Sequence, residues 1–298
     1  VEDDPAGNVY MTLKGTNPQA KPVVIGSHID SVAQGGNFDG AAGVVSGLIA
    51  CAGLIKAGIK PPRDIKVMGI RAEESAWFGV SYIGSRSALG TLPSNALENA
   101  TRSDTGRTLS DHMRSAGCNP DLIKDGHAFL PANSLEAYIE VHIEQGPVLE
   151  EAEIPVAVVT GIRGNRRLPN ATCNGEYSHC GGVPRSHRRD AVIATAELVS
   201  FLDCVWDECE ATDKDFAFTV GKFFTDQEWH AMTKISGCVE FSLDMRSLDH
   251  NFVESMVDRV KKKVEEISER RGVSFDLGNI TKADPGVMDV SIKGEMIE

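Results

Sequence analysis

The sequence predicts an α/β protein built from two domains, and three observations carry that expectation. Apolar runs at Val23–Ile25, Asp64–Ile70 and Leu135–Val141 read as buried strands, and a helical stretch of small residues from Ala41 to Ala57 lies between the first two. From about Gly161 the pattern changes to strand, helix, strand, strand, helix, strand, which is the ferredoxin-like α+β order. Two long segments there, Arg188–Cys209 and His250–Arg271, each set apolar residues at helical spacing.

In chain order, residues 8–14 and 22–26 read as strands, and the helix from Ala41 stops at Gly58 before Pro61-Pro62. Short helices are expected at Leu109–Ala116 and Asn119–Lys124. In the second domain Leu168–Tyr177 and Phe216–Phe223 read as strands. Val239, Phe241, Leu243 and Met245 share one face of a third, with Glu240, Ser242, Asp244 and Arg246 on the other. The first helix there buries Ala191, Ala194 or Thr195, Leu198, Leu202 and Val205. The second buries Phe252, Met256, Val260, Val264 and Ile267 and is closed by Gly272. Ser274–Leu277 offers a last strand. The expected division is residues 1–160, then an inserted domain at 161–272, then 273–298 returning to the first.

Composition bounds the partners. A net charge of −13 argues against a nucleic-acid or anionic-membrane surface. No apolar run reaches the length of a membrane span. The 7 cysteines are scattered, odd in number and without a C-x-x-C pair, so free thiols and a reducing cytoplasm are expected. The opening VEDDPAGN reads as a start in mid-domain.

Chemistry collects where the strands end. The run Val23–Ile25 delivers His28 and Asp30, and a Gly-rich loop leads to Asp39 at the mouth of the helix. The next strand delivers Glu73-Glu74 and the third delivers His142. In open α/β sheets ligands bind beyond the carboxyl ends of the strands. Imidazole and carboxylate donors suit zinc or a similar divalent ion, and Asp30 is placed to hold the His28 ring from behind. Each feature has a plain alternative: a polar loop with a capping Asp39, an exposed acidic pair, a hydrogen-bonded core histidine. Their joint occurrence favours a metal site. Glu73 and Glu74 would then divide two tasks, one on a metal and one over its water, with Asp39 bridging a metal pair. No G-x-S-x-G elbow and no phosphate loop is present. His112, His127 and His187 lie in polar stretches, and His230, just before Thr233, reads as a surface-loop residue or as lining a pocket there.

The segments GSHIDSVAQGGNFDGAAGV, RAEESAWFGVSYIGSRSALG, YIEVHIEQGPVLE, GNRRLPNATCNGEYSHCGGVPRSHRRDA and VEFSLDMRS resemble the N-carbamoyl-L-amino-acid hydrolase and allantoate amidohydrolase family. That family is a branch of the aminoacylase- and carboxypeptidase-like metallopeptidases. The resemblance implies a metallopeptidase-like catalytic domain with an inserted lid that also makes a homodimer. It implies His28, Asp39, Glu74 and His142 as ligands of two divalent ions, with Asp39 bridging. Zinc is the first expectation, and manganese, cobalt and nickel also suit the donors. It implies Glu73 as general base, Asp30 as the group orienting His28, and His179 as a stabiliser of the tetrahedral intermediate, reaching across the dimer. Arg246 would bind the substrate carboxylate, and Gln145, Asn165 and Thr233 would join it in the substrate pocket.

Three departures stand out. Asn165 takes the place of the family's glutamine, and Thr233 that of its asparagine. The family's last ligand, a histidine in a C-terminal Gly-His-Asp-type motif, has no counterpart, and His250 is no substitute. The chain is therefore expected to be incomplete or to hold its second metal weakly. The function implied is cleavage of a linear amide or ureido C–N bond in an N-carbamoyl amino acid or related ureido acid. A dipeptidase or aminoacylase with the same metals, and a non-catalytic dimeric binding protein on the same fold, are the alternatives.

Overall fold

A five-stranded sheet organises the first of two units in the computed structural model, which describes residues 1–74 and 76–297. The units are Val1–Ile154 and Pro155–Glu298. The first contains β1 (Glu2–Asp3), β2 (Val9–Leu13), β3 (Val23–His28), α1 (Ala41–Lys56), β4 (Ile65–Ile70), α2 (Ile83–Ala88), α3 (Ala96–Asn99), α4 (Leu109–Ser115), α5 (Pro120–Lys124), β5 (Ala137–Ile139) and α6 (Val148–Glu151). The sheet order is β1-β2-β4-β3-β5. β3 runs parallel to β4 and β5, and β2 runs antiparallel to β4.

Parallel pairing brings the carboxyl ends of β3, β4 and β5 to one edge, with His28 opposite Ile70. α1 connects β3 to β4, as a parallel pair requires. Its small residues let it lie close on the sheet: a β-carbon on Gly47 would touch Ile25 and Val67. Tyr10, Val24, Met68 and Ile70 fill the core beneath.

β5 is shorter than the expected run from Leu135 to Val141. Its ladder with β3 covers only Ala137 to Ile139. Beyond it the Glu140 carboxylate accepts the Ser27 hydroxyl at 2.7 Å and the chain leaves the sheet. His142 is therefore presented from a loop three residues past the strand.

The second unit contains β6 (Gly161–Ile162), β7 (Gly164–Asn174), β8 (Ser178–His179), α7 (Ala191–Glu210), β9 (Ala217–Thr225), β10 (Lys234–Ile235), β11 (Cys238–Ser247), α8 (His250–Arg271), β12 (Ser274–Asp276), β13 (Thr281–Ala283), β14 (Gly286–Val287) and α9 (Val290–Ile297). Its main sheet has the antiparallel order β12-β7-β11-β9. Read with α7 and α8, this is the split βαββαβ arrangement. Both helices pack on it. Ala194, Leu198, Leu202 and Val205 of α7 meet Val253, Met256, Val260 and Ile267 of α8 over Leu168, Val239, Phe241 and Leu243. Asp190 and Asp249 cap the two helices by accepting the Ile193 and Phe252 N–H groups.

Two expectations change here. β7 begins at Gly164, not Leu168, and its polar opening Asn165–Arg167 conceals it in the sequence. Arg166 is buried there, its guanidinium held by Glu254, Asp284 and the carbonyls of Asn165 and Ala283. The return of residues 273–298 to the first domain is not what the strand pairing shows. β12 and β13 both pair with β7, β14 pairs with β6, and the break between units falls after Ile154.

All 7 cysteines are free. Among the described residues no helix is long and apolar enough to cross a membrane. Leu202, 1% exposed between the helices and the sheet, should cost about 2–5 kcal/mol on truncation to Ala. Ile193→Ala on the outer face of α7, where the side chain is 48% exposed, should stay within about 0.5 kcal/mol. Urea unfolding of the two variants checks the ranking.

Candidate metal centre

His28 closes β3 and is 3% exposed. The ladder runs one bond further, from Ile29 N–H to the Ile70 carbonyl at 2.8 Å, and fixes where the histidine points. Its Nδ1 donates to the main-chain oxygen of Asp30 at 2.8 Å. His142 does the same locally, with Nδ1 2.8 Å from the Ile143 oxygen. A carbonyl can only accept, so both protons sit on Nδ1 and both Nε2 atoms present lone pairs.

Asp39 precedes α1, whose N-cap is Gly40 without a side-chain cap. The capping role open to Asp39 on sequence is therefore not the one it fills. Its Oδ1 lies 3.3 Å from His28 Nε2 and 3.2 Å from His142 Nε2, and the two Nε2 atoms are 3.4 Å apart. Gly40 makes this approach possible. Its φ is +68°, and a β-carbon there would fall 2.4 Å from the His28 oxygen and 2.5 Å from Nδ1. Gly43 has a like role one turn on, where a β-carbon would meet the Val141 oxygen at 2.1 Å.

Two imidazole lone pairs and one carboxylate oxygen thus face a single point. Asp39 Oδ1 is buried and has no hydrogen-bond partner. Acceptors without a donor repel one another, and a positive charge among them removes the repulsion. The donor set is the one divalent zinc, manganese, cobalt and nickel favour, so the residues present fit such an ion. His28 feels the same demand: burial pulls its pKa down, but the Asp30 carbonyl and the carboxylates of Glu73, Asp30 and Asp39 raise it on balance.

A second group shares His28. It comprises His28, Glu73 and Glu74, with ligand atoms within 4.8 Å of one another, as in the first group. The structure brings Glu73 and Glu74 to His28 but does not gather Glu74 into one set with Asp39 and His142. The pair lies past the end of β4, after Ala72 at φ 54°, so strand alternation does not govern it. Burial raises the Glu73 pKa, and the neighbouring Glu74 carboxylate raises it further.

Asp30 is used differently from the expectation. Its main-chain oxygen, not its carboxylate, takes the His28 proton, and carboxylate Oδ1 is 4.0 Å from Nδ1. The carboxylate instead accepts Glu73 N–H at 3.0 Å and Glu74 N–H at 3.1 Å. Gln145, at φ 58°, donates its amide to Asp39 Oδ2 at 2.8 Å.

Sequence reading missed the buried hub beneath this segment. Asn8 is fully buried. Its Oδ1 accepts Arg71 N–H, and its amide donates to Asp4 and to the Gly84 carbonyl. Asp4 also accepts the Tyr10 hydroxyl at 2.8 Å. A turn-like DDPAGN gave no sign that Asn8 anchors the strand-end carboxylates from below.

In the second unit, His179 has the opposite tautomer. Its Nδ1 accepts the N–H groups of Gly181 and Gly182 at 3.1 and 3.0 Å, leaving a donor at Nε2. Thr233 is next to it, its carbonyl accepting Cys180 N–H. Arg246 faces Asn165 across β11 and β7. Its Nε and Nη2 are both held by Asp244 Oδ2, which Arg167 shares. His127, His187 and His230 are exposed, and His230 bonds to the Thr225 hydroxyl.

Residues 8–113 match Peptidase family M28. An N-carbamoyl-L-amino acid amidohydrolase of Geobacillus stearothermophilus is 35% identical over 98% of this chain and 69% of its own length. A probable allantoate deiminase of Oryza sativa subsp. japonica is 34% identical over 88% of this chain and 55% of its own. The crystal structure of an amidase of the hydantoinase/carbamoylase family from Burkholderia multivorans superposes with a TM-score of 0.83 at 29% identity, covering 98% of this chain and 68% of that one.

Gly40→Ala should weaken uptake of Mn²⁺ by about 10–100-fold, the loss expected when a ligand's support is disturbed. Gly36→Ala, where a β-carbon would meet nothing within 4 Å, should leave uptake unchanged. Calorimetric titration of the metal-stripped proteins makes the comparison, and equal affinities would remove the close approach at Gly40 from the account.

Proposed function

The chain belongs to the N-carbamoyl-L-amino-acid amidohydrolase family, and from that premise we propose that it hydrolyses the ureido or amide C–N bond of a small carboxylate-bearing substrate. An N-carbamoyl amino acid or related ureido acid is the substrate class. The single observation that carries the reading is the meeting of His28 Nε2, His142 Nε2 and Asp39 Oδ1 within 3.4 Å of one another. In this reading His28, Asp39, His142 and Glu74 hold divalent ions, zinc first among them and two per chain. Ions so placed would polarise the scissile carbonyl and make water acidic enough to ionise near neutral pH.

The chain's own residues do the rest. Glu73, kept basic by burial and by Glu74, takes a proton from the attacking water as the new C–O bond forms. It returns that proton to the departing nitrogen as the C–N bond breaks. His179 offers a neutral Nε2–H to the oxygen on which charge develops. The substrate carboxylate is assigned to Arg246, whose guanidinium is oriented by Asp244 and half exposed. Asn165 and Thr233 of the second unit and Gln145 of the first are assigned to substrate binding in this reading.

The second unit is assigned the roles of lid and dimer contact. Support for the contact comes from edge strand β9 and the loop after it, where Phe224, Trp229 and Met232 are exposed. A cytoplasmic location fits the free thiols.

A dipeptidase or aminoacylase built on the same residues would differ in substrate alone, and a panel of carbamoyl, acyl and peptidyl amino acids separates the readings. Glu73→Gln should keep its divalent ions and lose about 10²–10⁴ in turnover. Near-normal turnover in that variant would dismiss Glu73 as the base. Arg246→Ala should raise KM for carboxylate substrates with little change in kcat, as loss of uniform binding does. An unaltered KM would take Arg246 out of the substrate site.

A further inference from the structure

The region where β3 and β4 end contains one residue that reaches both strand ends at once. Asp30 lies two residues beyond His28, and its two acceptor groups point in different directions. The main-chain oxygen takes the His28 Nδ1 proton at 2.8 Å. The carboxylate takes the next strand's backbone, one oxygen to Glu73 N–H at 3.0 Å and the other to Glu74 N–H at 3.1 Å. The turn that presents those two N–H groups is set by Ala72, whose φ of 54° is left-handed although it carries a β-carbon. Successive N–H groups after such a residue form a concave nest for an anion, and here the anion is a side chain of the same protein. The other side of the segment is tied to the start of α2, with Tyr82 N–H on the Glu73 oxygen and Ile83 N–H on the Ala72 oxygen.

We propose that the Asp30 carboxylate is a positioning residue for Glu73 and Glu74 and not for His28, whose ring is held without it. The inference rests on the metal-centre reading above and deepens it. It divides the labour inside one residue: the peptide oxygen, which no substitution removes, sets the imidazole tautomer, and the side chain sets where the two glutamates stand. The carboxylate lies 4.0 Å from the imidazole nitrogen, beyond hydrogen-bond reach. Loss of the carboxylate therefore leaves the group formed by His28, Asp39 and His142 intact and releases the group formed by His28, Glu73 and Glu74. An asparagine cannot substitute, because its amide offers one acceptor and turns an N–H₂ toward the second N–H.

The test compares wild type, Asp30→Asn and Glu74→Ala as full chains stripped of metal and titrated with Mn²⁺ by calorimetry. The wild type should show two binding events. Asp30→Asn and Glu74→Ala should both lose at least tenfold in the weaker event and keep the tighter one within about threefold, in line with the effect of removing a ligand's support. Imidazole ¹H–¹⁵N correlation spectra of the metal-free proteins should show the His28 proton on Nδ1 in wild type and in Asp30→Asn alike. A tautomer change with a weakened tight event would mean that the carboxylate acts through His28, and would overturn the proposal. So would two undisturbed events. Absence of Mn²⁺ uptake by the wild type would instead remove the metal-centre reading itself, and this inference with it. If Asp30→Asn does not fold, hydrogen exchange on the wild type decides: Glu73 and Glu74 amides that exchange as fast as an open loop would refute the clamp, and slow exchange of both supports it.

Discussion

Three lone pairs pointed at one another cannot rest. Asp39 Oδ1 and the Nε2 atoms of His28 and His142 form a triangle with sides of 3.2 to 3.4 Å, and both rings have their protons committed to main-chain carbonyls on the far side. The rest of the first unit serves this convergence. Parallel pairing of β3 with β4 and β5 puts their ends at one edge, and α1 starts where it can bring a carboxylate up to them. The polar hub of Asp4, Asn8 and Tyr10 then steadies the segment that bears the glutamates.

Proton placement separates the histidines by task. His28 and His142 donate from Nδ1 and so expose a base at Nε2. His179 accepts at Nδ1 from Gly181 and Gly182 and so exposes an acid at Nε2. The same side chain offers a lone pair in one environment and a hydrogen-bond donor in the other, through backbone partners alone.

Much of this was legible from the sequence because its signals are periodic. The apolar faces of α7, α8 and β11 were read residue by residue, and Leu198, Leu202, Met256, Val260, Phe241 and Leu243 are buried as expected. His28 and His142 could be singled out because each follows an apolar run, and Asp39 because it stands between a Gly-rich loop and the helix that follows. What stayed hidden has no period. The polar start of β7 reads as loop because Arg166 satisfies its charge with partners at positions 254 and 284. The β13 pairing with that same stretch was invisible for the same reason. The use of Asp30 could not be foreseen either, since it depends on the backbone angle of Ala72 in another strand's turn.

Gly40 has nothing to donate, accept or ionise, yet it decides whether the imidazole of His28 and the carboxylate of Asp39 can share a neighbourhood. Reactive side chains draw attention in a search for chemistry, while this position contributes only empty space. Its tolerance for change should therefore be as narrow as that of His28 and Asp39 themselves. Redesign of the centre for another ion would have to begin from that hydrogen atom, which sets the ceiling on how bulky the entrance to α1 can become.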